Sequence, residues 1–456
     1  MNILIFQPPK VDGMYAIREE FCHGKTDLKV NPYDIAILSS VFKENNFRTQ
    51  LYDCQGLDWG EEELFSKISN FQPDWIISQT SFASFGEDNR LFNKIKKTFG
   101  TKVICNFNPP LTKGMAEIFF SHSDVDYVTI DEPYYSPFEL VLKDKKDGFA
   151  YKKEGEVVYN RKKNLMEISR LPIPDYLSLP MHVYDKVFIN SIRDCPFPCT
   201  FCTQYSTKRF KKRGYYSAER LFNEVDIIRK KFDKKLLLIA DSNPFLDKER
   251  LQRFCELVIG ANLDIKWECN GRVGMVDPFL VQLLKKAGCT DIVLGIESGS
   301  DKMLDSMKKG ITSEEAIKTV NLLKNSNMSV AYHIVIGFPG ETKETINETI
   351  EFINKTKPDN FSVNIATPFP GTEFFDYCIK SGLCSEKEFF DKKFDHRTTP
   401  LIKSDLNLNG EKQRITRTLK FKPWYIKNKL LRWIRGDYPY RLSNLIESGI
   451  DILKGQ

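Results

Sequence analysis

Short apolar runs alternate with segments of helical periodicity along most of this 456-residue chain. In the first part, residues 2–6, 48–53 and 74–79 are such runs, and residues 32–45 carry apolar side chains at helical spacing. Strands that alternate with helices of about ten residues indicate a parallel, doubly wound sheet. Ligands of such sheets bind beyond the carboxyl ends of the strands.

Six further strand candidates follow, and helical segments separate them. They cover residues 187–192, 236–240, 265–269, 291–296, 330–336 and 360–366. Six consecutive strand–helix units predict a partial barrel, whose reactive groups lie at the carboxyl ends of the strands. The expected fold class is therefore α/β: an N-terminal doubly wound parallel sheet (Rossmann-like), then a partial (β/α)6 barrel of the TIM type, with a C-terminal helical tail.

The chain divides into four expected regions. Residues 1–150 hold the first sheet, 151–186 a linker with a small hairpin, 187–385 the barrel, and 386–456 a basic, aromatic, helical C-terminal region. Prolines alternate with other residues in the linker, which disfavours both helix and regular strand.

Composition and charge are ordinary for a soluble globular protein, since 41% of the residues are hydrophobic and 28% are charged. The formal net charge of +6 is mild and does not by itself indicate nucleic acid. No apolar run approaches the roughly 20 residues needed to span a bilayer, and the N-terminus is typical of a first strand rather than a signal peptide. Eleven cysteines without an export signal favour a reducing cytoplasm, where they are thiols or metal ligands.

Three cysteines, Cys195, Cys199 and Cys202, lie within eight residues directly after the first barrel strand. A loop this tight can wrap its thiolates around one corner of an iron–sulfur cube. Three ligands for four irons leave one iron open to a cofactor or substrate. A structural zinc site is the alternative, but it needs a second pair of ligands, and the other eight cysteines are scattered.

This cysteine spacing, with Phe201 before the last cysteine, resembles the signature of the radical S-adenosylmethionine superfamily. The resemblance implies a [4Fe–4S] cluster on Cys195, Cys199 and Cys202 that holds S-adenosyl-L-methionine on its open iron. One electron then cleaves the sulfonium to a 5′-deoxyadenosyl radical. It also implies a reductant of the flavodoxin or ferredoxin type, and an anaerobic setting because such a cluster is oxygen-sensitive.

Polar motifs at the ends of the other five barrel strands resemble the same superfamily. They cover residues 241–245, 268–272, 295–300 with 307–310, 337–342 and 367–372. In the ligand set that the resemblance implies, peptide groups beside Phe201 bind the adenine edge. Ser242 and Asn243 take the place of the motif that meets the amino group. Of Tyr332 and His333 on the fifth strand, one must face the barrel interior, and we expect a satisfied core histidine rather than a catalytic one.

Four charged residues complete this expected cofactor site. Glu268 and Glu297 are acceptors suited to the ribose hydroxyls or the ammonium of S-adenosylmethionine. Arg272 and Lys309 are candidates for its carboxylate. For each of the four, an ordinary ion pair at the surface is the alternative.

The first 150 residues resemble the cobalamin-binding domain found in one branch of the superfamily. The resemblance covers the fold pattern with Pro8-Pro9, Asp53 and residues 78–80, but the usual cobalt-ligand motif is absent. Side chains and prolines replace the usual glycines at residues 106–110 and 130–133, which narrows the space for a large ligand. Two alternatives therefore stay open for this domain. Either it binds cobalamin as a third cofactor, or it only helps to hold substrate.

The C-terminal region interleaves basic and aromatic residues between residues 412 and 454. Ile426, Leu430, Trp433 and Ile434 can share one helical face. Such a segment either docks on the barrel as a final helix or lies on an anionic membrane. In the second case the protein is peripheral to the membrane and the substrate is a lipid or isoprenoid.

The expected function is radical S-adenosylmethionine chemistry, with cobalamin-assisted methylation of an unactivated carbon of a small-molecule or lipid substrate as the leading reaction. The first alternative is cobalamin-independent cyclisation, oxidation, rearrangement or carbon–carbon coupling. A non-catalytic metal-binding or redox-sensing protein is the alternative from another class. The cofactors do the difficult chemistry in the enzymatic cases, while the protein positions substrate and excludes water.

Overall fold

The computed structural model describes residues 1–19, 22–26, 28–131, 133–162, 167–193, 195–206, 214–391 and 400–434. The chain forms two compact units. The first combines Met1–Pro196, Phe201–Leu238 and Pro368–Leu401. The second combines Phe197–Thr200, Ile239–Thr367 and Ile402–Gln456.

Residues 1–160 form the first sheet and its helices. The strands are β1 (Asn2–Gln7), β2 (Tyr15–Glu19), β3 (Cys22–Thr26), β4 (Arg48–Asp53), β5 (Trp75–Ser81), β6 (Lys102–Asn108), β7 (Tyr127–Thr129), β8 (Phe149–Lys153) and β9 (Glu156–Asn160). The helices are α1 (Tyr33–Glu44), α2 (Glu61–Phe71), α3 (Phe85–Phe99), α4 (Lys113–His122) and α5 (Tyr135–Lys143). The sheet order is β4-β1-β5-β6-β7-β8-β9, and its first five strands are parallel.

The central strands of this sheet are buried on both faces. Residues 3–6 of β1 are completely buried, which is why they appear in the sequence as a continuous apolar run rather than an alternating one. Local signals set the helix ends: Thr112 accepts a hydrogen bond from the Met115 amide at 3.1 Å at the start of α4. The doubly wound parallel sheet predicted from the sequence is confirmed.

Two hairpins depart from the sequence expectation. The hairpin predicted in the linker forms as β8–β9, but it joins the first sheet as antiparallel edge strands through β7. The hairpin β2–β3 was not predicted, because Cys22–Thr26 lacks the alternating apolar pattern of a half-buried strand.

Residues 187–434 hold the second sheet and its helices. The strands are β10 (Val187–Ile189), β11 (Ile192–Arg193), β12 (Gly214–Tyr215), β13 (Leu236–Ile239), β14 (Lys266–Gly271), β15 (Cys289–Glu297), β16 (Ser329–Ile336) and β17 (Asn360–Ile365). The helices are α6 (Thr203–Ser206), α7 (Ala218–Phe232), α8 (Lys248–Gly260), α9 (Pro278–Lys286), α10 (Asp301–Ser306), α11 (Ser313–Asn325), α12 (Lys343–Thr356), α13 (Glu373–Lys380), α14 (Leu408–Lys420) and α15 (Pro423–Ile434).

The second sheet has the order β10-β13-β14-β15-β16-β17, so its strands follow one another as a parallel partial barrel requires. The predicted helix starts are also present: Asp277 accepts from the Leu280 amide at 2.9 Å, and Thr312 with Glu315 forms a capping box. The first barrel strand is shorter than predicted, because Ile192–Arg193 leaves it to pair with β12 in a separate small sheet.

The C-terminal region is helical as predicted, in α14 and α15. Ile415 and Leu419 of α14 are completely buried. Residues 392–399 and 435–456 lie outside the described part of the chain, so the charged and aromatic side chains predicted there have no structural account. Across the described residues, no helix is both long and apolar enough to cross a bilayer.

Candidate active site

The cysteine loop begins after β11 and leads into α6. The Cys195 amide donates to the Gln204 carbonyl at 3.1 Å, which closes the loop onto the first turn of α6. Cys199 is buried, with 7% of its surface exposed, whereas Cys195 and Cys202 are half-buried. None of the ten described cysteines forms a disulfide, so the three loop thiols are available as ligands.

Arg272, directly after β14, holds the central part of the cysteine loop. Its guanidinium lies over the Phe197 ring at 3.8 Å from the centroid, and its Nη1 lies 3.8 Å from Cys199 Sγ. Its Nη2 donates to the Lys309 carbonyl. Arg272 was predicted as a carboxylate ligand, and the structure additionally makes it a link between two loops.

Thr200 provides a second link between the same loops. Both its amide and its Oγ1 donate to the Met307 carbonyl, at 3.0 and 3.2 Å. The stretch Phe197–Thr200 is therefore fixed to the loop that follows α10. The sequence did not predict this contact, because no pattern around Thr200 indicates a partner more than 100 residues away.

Glu297 and Lys309 form a buried ion pair. Lys309 Nζ lies 2.8 Å from Glu297 Oε1, and only 8% and 9% of the two side chains are exposed. Both residues were predicted separately to contact S-adenosylmethionine. The structure brings them together as a buried pair of opposite charges.

The backbone around this pair explains the neighbouring glycine. Glu297 ends β15 with φ at +68°, a left-handed conformation that a non-glycine residue rarely adopts. A Cβ on Gly295 would lie 2.6 Å from Glu297 Oε1 and 2.9 Å from Lys309 Nζ. Gly295 therefore leaves the space that the ion pair fills, and the strained residue beside it is typical of a functional site.

His333 and Glu268 lie on the face of the second sheet that the helices do not cover. Tyr332, the neighbour of His333 on β16, packs against Phe352 of α12, so His333 points to the opposite face. Its Nδ1 bonds Ser362 Oγ on β17 at 2.8 Å, and its side chain is exposed. The prediction of a buried core histidine is therefore wrong, although the ring is hydrogen-bonded as expected.

Glu268 and the second-strand motif also differ in detail from expectation. Glu268 is half-buried within β14 rather than after it, since the strand continues to Gly271. Asn243 is buried, accepts from the Phe245 amide at 3.2 Å and donates to Met275 Sδ at 3.0 Å, so it supports its own turn. Ser242 and Phe201 are half-buried.

A parallel sheet of strand–helix units with polar groups at the strand ends defines a partial barrel of the TIM type. Residues 189–353 match the family model of the radical SAM superfamily. An uncharacterized methyltransferase of Pyrococcus horikoshii is 30% identical over 398 residues, which cover 84% of this chain and 84% of that protein. The chain therefore belongs to the radical S-adenosylmethionine superfamily and is an enzyme of that type.

Other relatives share less of their length or only the fold. The anaerobic magnesium-protoporphyrin IX monomethyl ester cyclase of Rubrivivax gelatinosus is 29% identical over 239 residues, 52% of this chain and 41% of that protein. The structure of the radical S-adenosylmethionine methyltransferase TsrM from Kitasatospora setae, with cobalamin and a [4Fe–4S] cluster bound, matches with a TM-score of 0.68 and 14% identity over 83% of this chain and 78% of that one.

The cobalamin-dependent S-adenosylmethionine radical enzyme OxsB, with aqua-cobalamin bound, matches with a TM-score of 0.64 and 18% identity, over 92% of this chain and 62% of that one. The resemblance to the branch with an N-terminal cobalamin-binding-like domain is thereby confirmed as a likeness of fold. Membership of the superfamily implies a [4Fe–4S] cluster and S-adenosylmethionine as cofactors.

The donor set of the cysteine loop fits an iron–sulfur cluster. Across the described ranges, no three His, Cys, Asp or Glu side chains converge on a point that could hold a single metal ion. A cluster makes a different demand, because each thiolate binds a different iron and the sulfurs need not converge. Three thiols within eight residues are the donor type that such a cluster takes, and the Arg272 cation lies beside one of them, Cys199.

Cobalamin fits the first sheet less well, because a hairpin covers the carboxyl edge where such a sheet binds ligands. Arg18 of β2 is completely buried, and its guanidinium donates to both oxygens of Asp88 at 2.6 and 2.7 Å. Asn108, at the end of β6, donates to the Arg18 carbonyl at 2.7 Å. The cavity beside the hairpin, partly lined by Asp53, has a volume of about 10 Å³, enough for about one water molecule.

An aromatic cluster covers the neighbouring part of the same edge. Phe82 lies 4.7 Å from Phe107, 5.1 Å from Phe389 and 5.6 Å from Phe390 between ring centroids. A corrinoid at this edge would have to displace the Arg18 network or these rings. The residues at this edge therefore do not fit a corrinoid as they stand.

Proposed function

We propose that this enzyme transfers a methyl group to a carbon of a small-molecule substrate. The observation that carries the proposal is the 30% identity to a methyltransferase over 84% of both chains, which the fold likeness to TsrM supports. We further propose the division into residues 1–150, 151–186, 187–385 and 386–456, in which the hairpin β8–β9 extends the first sheet across the first boundary. We also propose a reductant of the flavodoxin or ferredoxin type.

Cys195, Cys199 and Cys202 are proposed to hold the [4Fe–4S] cluster, which, once reduced by the external reductant, would bind S-adenosylmethionine and supply the electron for its cleavage. Arg272 keeps Phe197 and Cys199 in place, because its planar guanidinium can stack and donate at once. Fixing these positions in advance is the protein's contribution to such chemistry.

The buried pair of Glu297 and Lys309 is proposed to bind the polar groups of S-adenosylmethionine. In a site from which water is largely excluded, a preformed pair can orient an ammonium and a carboxylate with little reorganisation. Glu268, Ser242 and Asn243 are proposed as weaker contributors to the same ligand, because they lie on neighbouring strand ends.

A second candidate is radical cyclisation, oxidation, rearrangement or coupling without cobalamin. The observation that favours it is the covered carboxyl edge of the first sheet, where Arg18 and Phe389 are completely buried. The two candidates differ in what becomes of S-adenosylmethionine. Methylation of an unactivated carbon leaves S-adenosylhomocysteine from the methyl donor as well as methionine and 5′-deoxyadenosine from reductive cleavage. The second candidate leaves methionine and 5′-deoxyadenosine without S-adenosylhomocysteine.

The experiment is an anaerobic reconstitution of the full chain with iron and sulfide, with and without added cobalamin. Electron paramagnetic resonance with and without S-adenosylmethionine reports the cluster, and chromatography quantifies bound corrinoid, S-adenosylhomocysteine and 5′-deoxyadenosine. Methyl transfer predicts S-adenosylhomocysteine, and the comparison with and without cobalamin measures whether its formation needs a corrinoid. A cluster with 5′-deoxyadenosine but no S-adenosylhomocysteine favours the second candidate.

Two cysteine variants make this test specific. Cys199→Ala should abolish the cluster signal and both products, whereas Cys255→Ala, at a buried cysteine outside the loop, should retain them. A cluster that binds no S-adenosylmethionine and yields neither product would contradict both candidates and support a non-catalytic metal-binding protein.

A further inference from the structure

The positive charge of the chain is concentrated in its last described segment. Residues 408–434 contain eight Lys or Arg and a single Glu, while the rest of the chain contains 59 Lys or Arg and 60 Asp or Glu. The net charge of the protein therefore resides in 27 residues that form α14 and α15. A charge asymmetry of this kind indicates an anionic partner.

The last helix of this segment, α15, turns polar side chains toward the second sheet. Arg432 forms an ion pair with Asp291 at 2.6 Å, with 8% and 4% of the side chains exposed. Tyr425 donates to Asn360 Oδ1 at 3.0 Å. These two contacts lie two turns apart, so they fix the rotation of the helix about its axis.

Because its polar side faces inward, α15 presents apolar side chains to solvent. We call these the α15 outer face: Ile426 is 54% exposed, Leu430 49%, Leu431 37% and Ile434 65%, and Phe421 just before the helix is 47% exposed. Large exposed apolar groups that adjoin one another mark an interaction site, whereas single ones need no explanation.

We infer that the α15 outer face binds the interface of an anionic lipid bilayer. Lys422 and Lys427 are exposed beside it, so the surface combines an apolar stripe with positive charge. A helix with these two features inserts its apolar side into the headgroup boundary, and its lysines attract anionic lipid. The inference does not depend on the reaction proposed above.

The chemistry of the outer face favours a bilayer over the other anionic or apolar partners. Proteins that bind single-stranded nucleic acid present aromatic or guanidinium planes to the bases, whereas four of the five residues of the α15 outer face are aliphatic and Phe421 is its one aromatic. A second copy of the chain would bring two positively charged segments together, which like-charge repulsion opposes.

The test is co-sedimentation of the full chain with vesicles of phosphatidylcholine, with or without phosphatidylglycerol. We expect binding to the anionic vesicles that exceeds binding to the neutral ones at least tenfold and falls as salt screens the lysines. Equal and weak sedimentation with both kinds of vesicle would overturn the inference.

Two double variants test the apolar and the electrostatic contributions to vesicle binding separately. Leu430→Gln with Ile434→Gln should weaken binding by at least about tenfold, because the buried apolar area is lost. Lys422→Glu with Lys427→Glu should weaken it by about 25-fold or more, at about fivefold for each lysine removed. The matched controls are Leu177→Gln, at a leucine that is 74% exposed in the first unit, and Lys97→Glu with Lys153→Glu at exposed lysines there.

These controls should leave vesicle binding unchanged, and an equal loss in them would overturn the inference. Circular dichroism with the urea midpoint verifies that each variant is folded. Light scattering detects binding of a second copy of the chain, and a transfer RNA binding assay detects binding of nucleic acid. A dimer that Leu430→Gln with Ile434→Gln dissociates, or binding to transfer RNA in preference to anionic vesicles, would also overturn it.

Discussion

The buried pair of Glu297 and Lys309 allows a quantitative prediction. Glu297→Gln preserves the shape of the side chain but removes the counter-charge that lies 2.8 Å from a lysine ammonium with 8% of its side chain exposed. Removing one partner of a buried pair costs about 3–5 kcal/mol, because the other charge stays in a poorly solvating environment. We expect a loss of this size in the free energy of unfolding, measured by urea titration of the second unit's transition in the full chain.

The chain contains a matched control. Glu314 and Lys318 on α11 form the same kind of pair at the same 2.8 Å distance, but their side chains are 75% and 71% exposed. Glu314→Gln should leave the urea midpoint unchanged, because water solvates the lysine once its partner is gone. The two variants therefore isolate the effect of burial from that of pair geometry.

A double variant separates the structural role of the pair from its proposed role in binding. Adding Lys309→Met to Glu297→Gln removes both charges, so most of the lost stability should return. Binding of S-adenosylmethionine, measured by the change in the cluster's resonance spectrum, should stay impaired in both variants. If Glu297→Gln lowered the free energy of unfolding no more than Glu314→Gln does, the reasoning from burial would be refuted. If the double variant bound S-adenosylmethionine normally, the proposed ligand role of the pair would be refuted.

Three further predictions concern other parts of the chain. Gly295→Ala should weaken binding of S-adenosylmethionine at least tenfold by crowding the Glu297–Lys309 pair, whereas Gly260→Ala, with open space around it, should have no effect in the same titration. Arg272→Lys should reduce cluster occupancy, measured as iron per protein, about tenfold. Lysine has neither the planar group that stacks on Phe197 nor the forked set of donors. Full cluster occupancy in this variant would contradict the role of Arg272 as a link between the two loops. Burial raises the pKa of Asp53 to about 6, above its ordinary 3.8, so the folded state takes up a proton as the pH falls through 6 and is stabilised by about 1 kcal/mol between pH 7 and 5. Asp53→Asn should remove this increment from the pH profile of the urea midpoint, and an unchanged profile would show that Asp53 is not the group responsible.

Much of the fold follows from patterns that lie within a few residues of one another. The apolar runs of β1 and β16, the cap at Asp277 and the capping box at Thr312 were predicted because each depends on neighbours in the sequence. The boundaries moved by a few residues, as at Gly271, where hydrogen bonding to the adjacent strand extends β14 beyond its apolar pattern.

The candidate site was predicted as a set of residues rather than as an arrangement. The sequence placed Glu297, Lys309 and Arg272 at strand ends, but not the ion pair, nor the contact of Arg272 with Phe197. The hydrogen bonds of Thr200 to Met307 were likewise absent from the sequence analysis. Such contacts depend on how far loops reach across a sheet, which no local pattern records.

Periodicity, capping and ligand spacing are local properties, so the alternation of strands and helices, the order of the barrel motifs and the three-cysteine loop are evident from the sequence. Three features are visible only in the folded chain. The β2–β3 hairpin and Phe389 cover the edge of the first sheet, His333 faces away from the helices, and α15 turns Arg432 inward and its leucines outward. In each case the outcome depends on a partner that is distant in the sequence. Phe389 packs on Phe82, and Tyr332 packs on Phe352. The Arg432–Asp291 pair and the Tyr425–Asn360 hydrogen bond together set the rotation of α15.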